Sequence, residues 1–193
     1  VYTITRNGSA IRIQRTDGND FTLRTEDSFG NAALIGSKGS VQRFSDLPRR
    51  AFNGSKMKVV GDETSEADNY YVEYEAGDTA EGVWKESIAE GADSTLNAAT
   101  MPWKLVRNAN GTFTFSPNDW ISRSVGDAIS ASDPSFVGKK LNDIFFHRNR
   151  LGVIADENVI FSRSGRYFSF YPETVTTVLD TDPIDVAVSH TKV

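Results

Sequence analysis

The sequence predicts a mainly β protein with one or two short helices. Many short runs either alternate apolar and polar side chains or are dense in aromatic and β-branched residues. Asn-Gly, Asp-Gly and Ser-Gly pairs separate these runs at intervals that suit tight reversals. Apolar residues at helical spacing are confined to one short segment, and the Ala-, Asn- and Ser-rich residues 90–100 are predicted to form a loop or one weak helical turn.

Composition indicates a folded chain. Of the 193 residues, 38% are hydrophobic, and twelve Phe, six Tyr and three Trp can fill one large β domain or two small ones. Cysteine is absent, which excludes a disulfide framework and a thiolate metal site. No segment resembles a signal peptide, and no apolar run approaches the ~20 residues of a membrane helix. Val1 and Val193 both look like cut ends, so we expect a fragment of a longer polypeptide.

The chain opens with hairpin signals. Residues 2–5 and 10–14 alternate on either side of Asn7-Gly8, which predicts a hairpin with a type I′ turn. A second turn at Asp17-Gly18 leads to a predicted strand at residues 21–24, so we expect a three-stranded meander.

One short helix is predicted after a polar loop at residues 28–39. Val41, Phe44 and Leu47 lie three apart, which places them on one helical face. Ser40 is the predicted N-cap, and Pro48 ends the helix.

Strands are predicted through the rest of the chain, and turns at Asn149-Arg150, Asp156-Glu157-Asn158 and Ser164-Gly165 separate those near the C-terminal end. Their ranges are 56–60, 70–75, 83–88, 104–107, 112–116, 144–146, 151–155, 159–162 and 167–171, with a further strand beginning at Ile184. The C-terminal set reads as a meander of the blade or sandwich type. The polar segment 122–135 is the best candidate for a domain boundary, which predicts domains at 1–133 and 134–193.

Charge is unevenly distributed along the chain. Residues 61–95 hold eleven Asp or Glu against Lys85, a local balance of −10 within a net charge of −5. Such a block usually forms a solvated face that serves solubility, and the alternative is a surface that repels nucleic acid.

The same block offers carboxylates for glycosidase chemistry. Glu73 and Glu75 fall on one side of a predicted strand. The further members of such a site would be Asp78, Glu81, Trp84, Trp103 and Trp120. A catalytic acid needs burial to raise its pKa, and this charged, loop-rich block does not predict burial. Edge-strand charges that discourage aggregation are the better interpretation.

Metal-binding and catalytic motifs are weak elsewhere. His147 and His190 have no carboxylate at ligand spacing, and a structural histidine is the better interpretation of His147. Asp180, Asp182 and Asp185 could bind calcium but lack EF-hand spacing, so an Asx-type turn is favoured. We therefore predict no catalytic, cofactor-binding or metal-binding residue.

Asn-Gly-Ser/Thr triplets begin at Asn7, Asn53 and Asn110 and formally match the glycosylation acceptor pattern. Each is also an Asn-Gly turn of the kind that the predicted hairpins require, and we favour the turn.

A basic cluster lies in the C-terminal meander among aromatic residues. Its members are Lys139, Lys140, Arg148, Arg150, Arg163 and Arg166. This mixture suits phosphate backbones and base stacking. The sequence pI near 5.1 argues against a dedicated nucleic-acid binder, and ion pairing with neighbouring subunits is equally compatible.

Several longer motifs together resemble one family. They are VQRFSDLP at 41–48, VWKE at 83–86, TMP at 100–102, LVR at 105–107, GTFTF at 111–115, PSFVG at 134–138, NDIFFHRNRLG at 142–152, EN at 157–158, SR at 162–163, YF at 167–168 and DPIDVAVS at 182–189. In this order they resemble the tail tubular protein B (nozzle) family of short-tailed podoviruses. The likeness covers nearly the whole chain and is weaker before Val41.

The resemblance implies a structural virion protein, made in the bacterial cytoplasm and located in the phage tail. It implies six copies forming a tubular nozzle, contacts with the tail adaptor ring protein and tail fibres, and transient passage of viral double-stranded DNA through the lumen. It also implies a β-rich platform domain followed by the start of a propeller-like β domain, no enzyme activity and no cofactor. A conduit for DNA should hold phosphates weakly, so we expect part of the 61–95 block to face the lumen or its rim. The alternatives are a tail-associated glycan- or peptidoglycan-degrading enzyme and a glycan-binding β module.

Overall fold

Within residues 1–30, 33–61, 64–77 and 82–188, which the computed structural model describes, regular structure is almost entirely β. Contacts group the chain into two units, Val1–Glu90 and Gly91–Val193. The strands of the first unit are β1 (Tyr2–Asn7), β2 (Ala10–Arg15), β3 (Ser40–Val41), β4 (Lys56–Val59), β5 (Tyr70–Glu75) and β6 (Val83–Ser87). Those of the second are β7 (Trp103–Arg107), β8 (Phe113–Pro117), β9 (Leu141–His147), β10 (Arg150–Ala155), β11 (Asn158–Phe161) and β12 (Ile184–Ala187). The predicted mainly β fold is confirmed, while the 133/134 domain boundary stays a prediction.

The first hairpin forms with a different turn from the one predicted. Asn7 pairs with Ala10, so the two turn residues are Gly8 and Ser9. Gly8 has a φ of 59°, and a positive φ at the first turn position alone is the pattern of a type II′ turn. The predicted type I′ turn at Asn7-Gly8 is therefore wrong, because Asn7 is still part of the ladder.

The predicted third strand at residues 21–24 is also wrong. Its alternation reflects side-chain packing, since Phe21 and Leu23 are half-buried and Phe21 meets the edge of the Tyr2 ring at 5.5 Å. The segment does not enter the sheet, whose members are β1 and β2 alone.

The core of the first unit lies on a four-stranded sheet of order β3-β4-β5-β6. Antiparallel pairs join β4, β5 and β6, while β3 pairs with β4 in parallel. The buried residues of the cluster are Leu47, Met57, Val59 and Val72, with Val41, Tyr70 and Trp84 packed against them.

The helix predicted at residues 40–47 is reduced to a 3₁₀ turn at Phe44–Asp46, with Arg43 rather than Ser40 at its N-cap. Val41 pairs with Val59, so the first residues of the segment are strand. The apolar spacing correctly predicts that Leu47 is buried. The helix does not form because the pairing of Val41 with the distant residue Val59 holds the start of the segment in a strand. A second 3₁₀ turn forms at Glu66–Asp68.

The second unit contains an isolated hairpin, β7–β8, and a four-stranded antiparallel meander, β9 to β12. The β9–β10 reversal uses Arg148 and Asn149, with φ angles of 45° and 60°, as a type I′ turn requires. The predicted position at Asn149-Arg150 is therefore one residue late. Arg150 is the first residue of β10.

The strand predicted at residues 167–171 does not form. Ser169, Phe170 and Tyr171 are buried in succession, whereas a half-buried strand alternates. Phe170 instead joins the core that covers one face of the meander. That core comprises Met101, Phe136, Leu151, Val153, Ala155, Ile160 and Phe170.

Candidate functional site

The meander has a second apolar face. Leu151, Val153 and Ile160 point to the core, so the alternate residues of the same strands point away from it. The alternate apolar residues are half-buried or exposed, and they are Phe145, Ile154, Val159, Phe161, Ile184 and Val186. A sheet that is apolar on both faces is typical of one covered on both sides.

Aromatic packing orders this second face. The rings of Phe145 and Phe161 meet edge to face, with centroids 5.4 Å apart. Gly152 lies directly across from Phe145 and leaves space for its ring. The sequence contains this signal as apolar residues at both phases of β10 and β11, which marks a strand buried on two sides.

A second exposed apolar surface lies on hairpin β7–β8. Trp103, Leu105, Phe113 and Phe115 project from one face, with 46%, 64%, 61% and 66% of their surface exposed. We name these four residues the aromatic hairpin face. The sequence shows the alternation at residues 112–116, but it does not show that the core leaves these side chains uncovered.

Arg150 organises the Asp-rich segment that was considered for calcium. Its Nη1 donates to the carbonyl oxygens of Asp182 (2.5 Å) and Ser162 (2.8 Å), and its Nη2 donates to that of Asp180 (2.6 Å). The carboxylate of Asp182 accepts a hydrogen bond from the backbone N–H of Leu179 at 2.8 Å. The segment therefore forms a turn around a guanidinium, which supplies the positive charge that a calcium ion would bring.

Asp185 has separate partners. Its carboxylate accepts from the backbone N–H of Ser135 at 2.7 Å and from the side-chain amide of Asn158 at 3.2 Å. Among the described residues, no cluster of three or more His, Asp or Glu is placed to hold a metal.

The basic cluster divides into structural and exposed members. Arg163 is buried and pairs with Glu173, and Lys139 lies 3.3 Å from Asp156. Lys140, Arg148 and Arg166 are exposed. The cluster therefore does not form one continuous phosphate-binding surface of six cations.

Within the first unit, Glu73 and Glu75 do not share a face of the sheet with Trp84. Glu73 lies 3.6 Å from Lys56, and Glu75 pairs with Lys85. Trp84 lies on the other face of the sheet, where its ring meets Tyr74 at 5.2 Å and its indole N–H donates to Pro48 at 2.8 Å. Trp103 and Trp120 belong to the second unit, and Asp78 and Glu81 lie outside the described residues.

The two histidines gave no further site. His147 is exposed at the end of β9, with its ring 6.4 Å from that of Phe161. No protein hydrogen bond of the predicted structural kind accompanies this contact in the described part of the chain. His190 lies outside the described residues.

The Asn-Gly pairs at residues 53–54 and 110–111 lie at turns, as predicted, whereas at residues 7–8 only Gly8 belongs to the turn and Asn7 ends β1. Gly8, Gly54 and Gly111 have φ angles of 59°, 76° and 83°. The side chain of Asn53 also accepts a hydrogen bond from the N–H of Ala76 at 2.9 Å, which ties the turn to the end of β5.

Arg123, Asp133 and Tyr171 form a hydrogen-bonded network beside a cavity of the second unit. Arg123 donates to Asp133 at 2.6 Å, and the hydroxyl of Tyr171 donates to the same carboxylate oxygen at 2.7 Å. Burial, followed by this hydrogen bond, raises the pKa of Tyr171. The cavity has a volume of about 190 Å³ and includes Pro134 and Asp185 in its lining. It is smaller than the roughly 300–1,000 Å³ of most ligand pockets.

These observations define a β-rich protein whose distinctive features are uncovered apolar sheet faces. The chain belongs to the bacteriophage nozzle protein family, which matches it over residues 1–193. It is a structural protein of the phage tail and is located in the virion.

A curated relative agrees with this assignment. The chain is 38% identical over 193 residues to "Tail tubular protein gp12" of Escherichia phage T7. The match covers 100% of this chain and 24% of that protein, so the chain spans about a quarter of the relative's length.

No helix in the described ranges is long and apolar enough to cross a membrane.

Proposed function

We propose that this chain forms part of a tail nozzle in which six copies surround the conduit for genome ejection. The observation that carries the proposal is the second apolar face of the meander, because a structural tail protein with such a face is built to be covered by further protein. The tail adaptor ring protein and tail fibres are the proposed neighbours, and viral double-stranded DNA passes through the lumen.

The copy number is tested on the complete polypeptide that contains this chain. Native mass spectrometry and sedimentation velocity should give a particle of six copies. A stable monomer or dimer at the concentrations of tail assembly contradicts the ring.

We also propose that residues 134–193 begin a propeller-like domain and that residues 1–133 form a platform-type domain. In support, β9 to β12 are adjacent in both sequence and space, as in the four-stranded blades of a propeller. Blades are covered on both faces, which fits the two apolar faces of this meander. Limited proteolysis should cut first within residues 122–135, and initial cutting near residue 90 contradicts the proposed boundary.

Within the nozzle, part of the acidic block at residues 61–95 faces the lumen or its rim. A wall that neutralised many phosphates would bind DNA tightly and in a salt-dependent manner, which opposes rapid passage. Exposed carboxylates of Glu66, Asp68 and Glu90 lie in the described part of this block.

The protein acts by assembly rather than by catalysis. The placement of Glu73 and Glu75 supports this view, because the two side chains contact Lys56 and Lys85 and lie on the face of the sheet opposite Trp84. Incubation with peptidoglycan and capsular polysaccharide tests it. Cleavage that disappears in Glu73→Gln favours the enzyme, and retention on a polysaccharide without cleavage favours a glycan-binding module.

A further inference from the structure

A small cavity in the first unit is lined by hydrogen-bond donors. Its volume is about 150 Å³, and its lining joins the end of β1 to the end of β5. The lining residues are Asn7, Arg50, Ala51, Tyr74, Ala76 and Gly77. None of these described residues is Asp or Glu, so the lining is suited to an anion rather than to a cation.

Arg50 supplies the positive charge of this cavity. Its side chain is half-buried and lies against the first hairpin turn, where a Cβ atom added to Gly8 would collide with its Nη1. Within the described ranges the guanidinium makes no hydrogen bond and no ion pair. A half-buried charge without a partner is unfavourable, so a bound anion would stabilise Arg50.

Two neutral groups add donors to the same lining. Asn7 ends β1, and its exposed side-chain amide has no hydrogen bond in the described part of the protein. The hydroxyl of Tyr74 accepts a hydrogen bond from the N–H of Gly82 at 2.8 Å, and its own proton has no acceptor among the described residues. One guanidinium with neutral donors suits an anion that carries a single negative charge.

The charge around the cavity is also positive. Residues 1–16 and 47–60 together contain seven Lys or Arg and no Asp or Glu. Arg6 donates to the carbonyl oxygen of Gly8 at 2.8 Å, which brings a second guanidinium to the turn that Arg50 contacts. The local field therefore attracts anions.

The carboxylates of β5 are directed elsewhere. Glu73 and Glu75 lie on the opposite side of the strand from Tyr74, because side chains alternate along a strand. Each of them contacts a lysine there. The described part of the protein therefore offers no counter-charge to Arg50.

The size of the cavity favours a carboxylate over a phosphate of duplex DNA. About 150 Å³ is the volume of roughly five water molecules in the liquid. A backbone phosphate of DNA is flanked by two sugars that such a cavity would not admit. An Asp or Glu side chain ends in a single carboxylate, which a guanidinium binds through two parallel hydrogen bonds.

We propose that this cavity binds the side-chain carboxylate of an Asp or Glu on a neighbouring protein, with Arg50 as the cation that pairs with it. Asn7, Ala76 and Gly77 are exposed, so the side chain can enter from solvent. The inference goes beyond the number of copies in the nozzle and does not depend on it.

Chemical modification of the complete polypeptide tests the site. p-Hydroxyphenylglyoxal modifies accessible guanidinium groups, and peptide mass spectrometry gives the rate at each arginine. Propionate has the structure of a glutamate side chain and, at about ten times its half-protecting concentration, should slow modification of Arg50 about tenfold. Sodium chloride at the same ionic strength should not. Arg49, the exposed neighbour, is the matched control, and its rate should be the same in propionate and chloride.

A variant of the lining provides a second measurement. Asn7→Ala removes one donor to a charged ligand and should raise the half-protecting concentration of propionate about tenfold. Ser9→Ala changes a residue of the same turn that does not line the cavity, and should leave that concentration unchanged. Circular dichroism shows whether either variant has unfolded the chain.

Several results overturn the inference. Propionate that protects Arg50 no better than chloride, or that protects Arg49 equally, excludes a specific site. Protection of Arg50 by inorganic phosphate or duplex DNA but not by propionate assigns a different ligand. If Arg50 reacts only after Asp78→Asn and Glu81→Gln, the protein supplies the carboxylate itself. An Arg50 that is unreactive under every condition is inaccessible to any partner. None of these results changes the copy number, so the proposed function fails or stands separately.

Discussion

The ring of Phe145 lies over Gly152 on the adjacent strand and occupies the space where a side chain would begin. A Cβ atom built at Gly152 would lie 2.6 Å from Cε2 and 2.7 Å from Cε1 of Phe145. The two residues are directly opposite in the β9–β10 ladder. The second apolar face of the meander therefore depends on the absence of a side chain at residue 152.

Replacing Gly152→Ala should destabilise the second unit by about 1–3 kcal/mol, because the Phe145 ring must leave its position. Urea denaturation measures the loss. In Phe145→Ala the conflict is absent, so the effect of Gly152→Ala should largely disappear in that background. Equal effects in the two backgrounds would show that the ring does not cause the strain.

Replacing Arg150→Ala should cost about 2–4 kcal/mol, because three backbone carbonyls lose a charged donor. Hydrogen exchange should also accelerate in β12, which follows the segment that Arg150 holds. Arg148→Ala is the matched control in the adjacent turn. Its exposed side chain should contribute no more than about 0.5 kcal/mol, and a similar loss in both variants would contradict the assigned role of Arg150.

Alkaline pH should weaken the fold through Tyr171. Burial and the hydrogen bond to Asp133 raise the pKa of Tyr171 above its ordinary value of 10.0. A group with a raised folded pKa contributes stability below its unfolded pKa, and this contribution is lost as pH rises above about 10. Urea unfolding between pH 7 and 11 should show the decline.

Tyr171→Phe supplies the comparison. At neutral pH it should be less stable than the unmodified protein by about 1 kcal/mol, because one hydrogen bond is lost. The difference in the free energy of unfolding between the two proteins should narrow above pH 10. The unmodified protein then loses the contribution of Tyr171, whereas phenylalanine does not titrate. A constant gap from pH 7 to 11 would contradict the raised pKa. The pKa of Tyr70 is also raised, but Tyr70 is present in both proteins, so its contribution cancels from the difference in stability.

Much of the strand content could be predicted from local pattern. Residues 70–75 alternate and form β5 with the expected bounds, and the reversals before β10 and β11 fall within one residue of the predicted pairs. In these segments the local preference and the non-local pairing agree, so the sequence pattern was sufficient.

The errors arise where non-local contacts decide. Residues 21–24 have the alternation of a strand but use it for side-chain packing, and Val41 leaves a helical pattern to pair with Val59. At residues 169–171 successive side chains are buried, which no two-residue period predicts. None of these outcomes can be inferred from the neighbouring residues alone.

The candidate surfaces were only partly accessible to sequence reasoning. The sequence identifies the six basic residues as one group, but it does not reveal that the side chain of Arg163 is buried while that of Arg148 is exposed. The guanidinium of Arg150 reaches an Asp-rich segment 30 residues further along the chain, a contact that sequence spacing does not reveal. The sequence signals the second apolar face through apolar residues at both phases of β10 and β11, but the register is needed to assign each residue to its side.

A cryo-electron map of the intact tail tests the central claim most directly. The account predicts six copies of this chain around a continuous channel, with carboxylates of residues 61–95 on the inner wall or at its rim. A map that places the chain away from the channel axis, or the acidic block wholly on the outer wall, would contradict it.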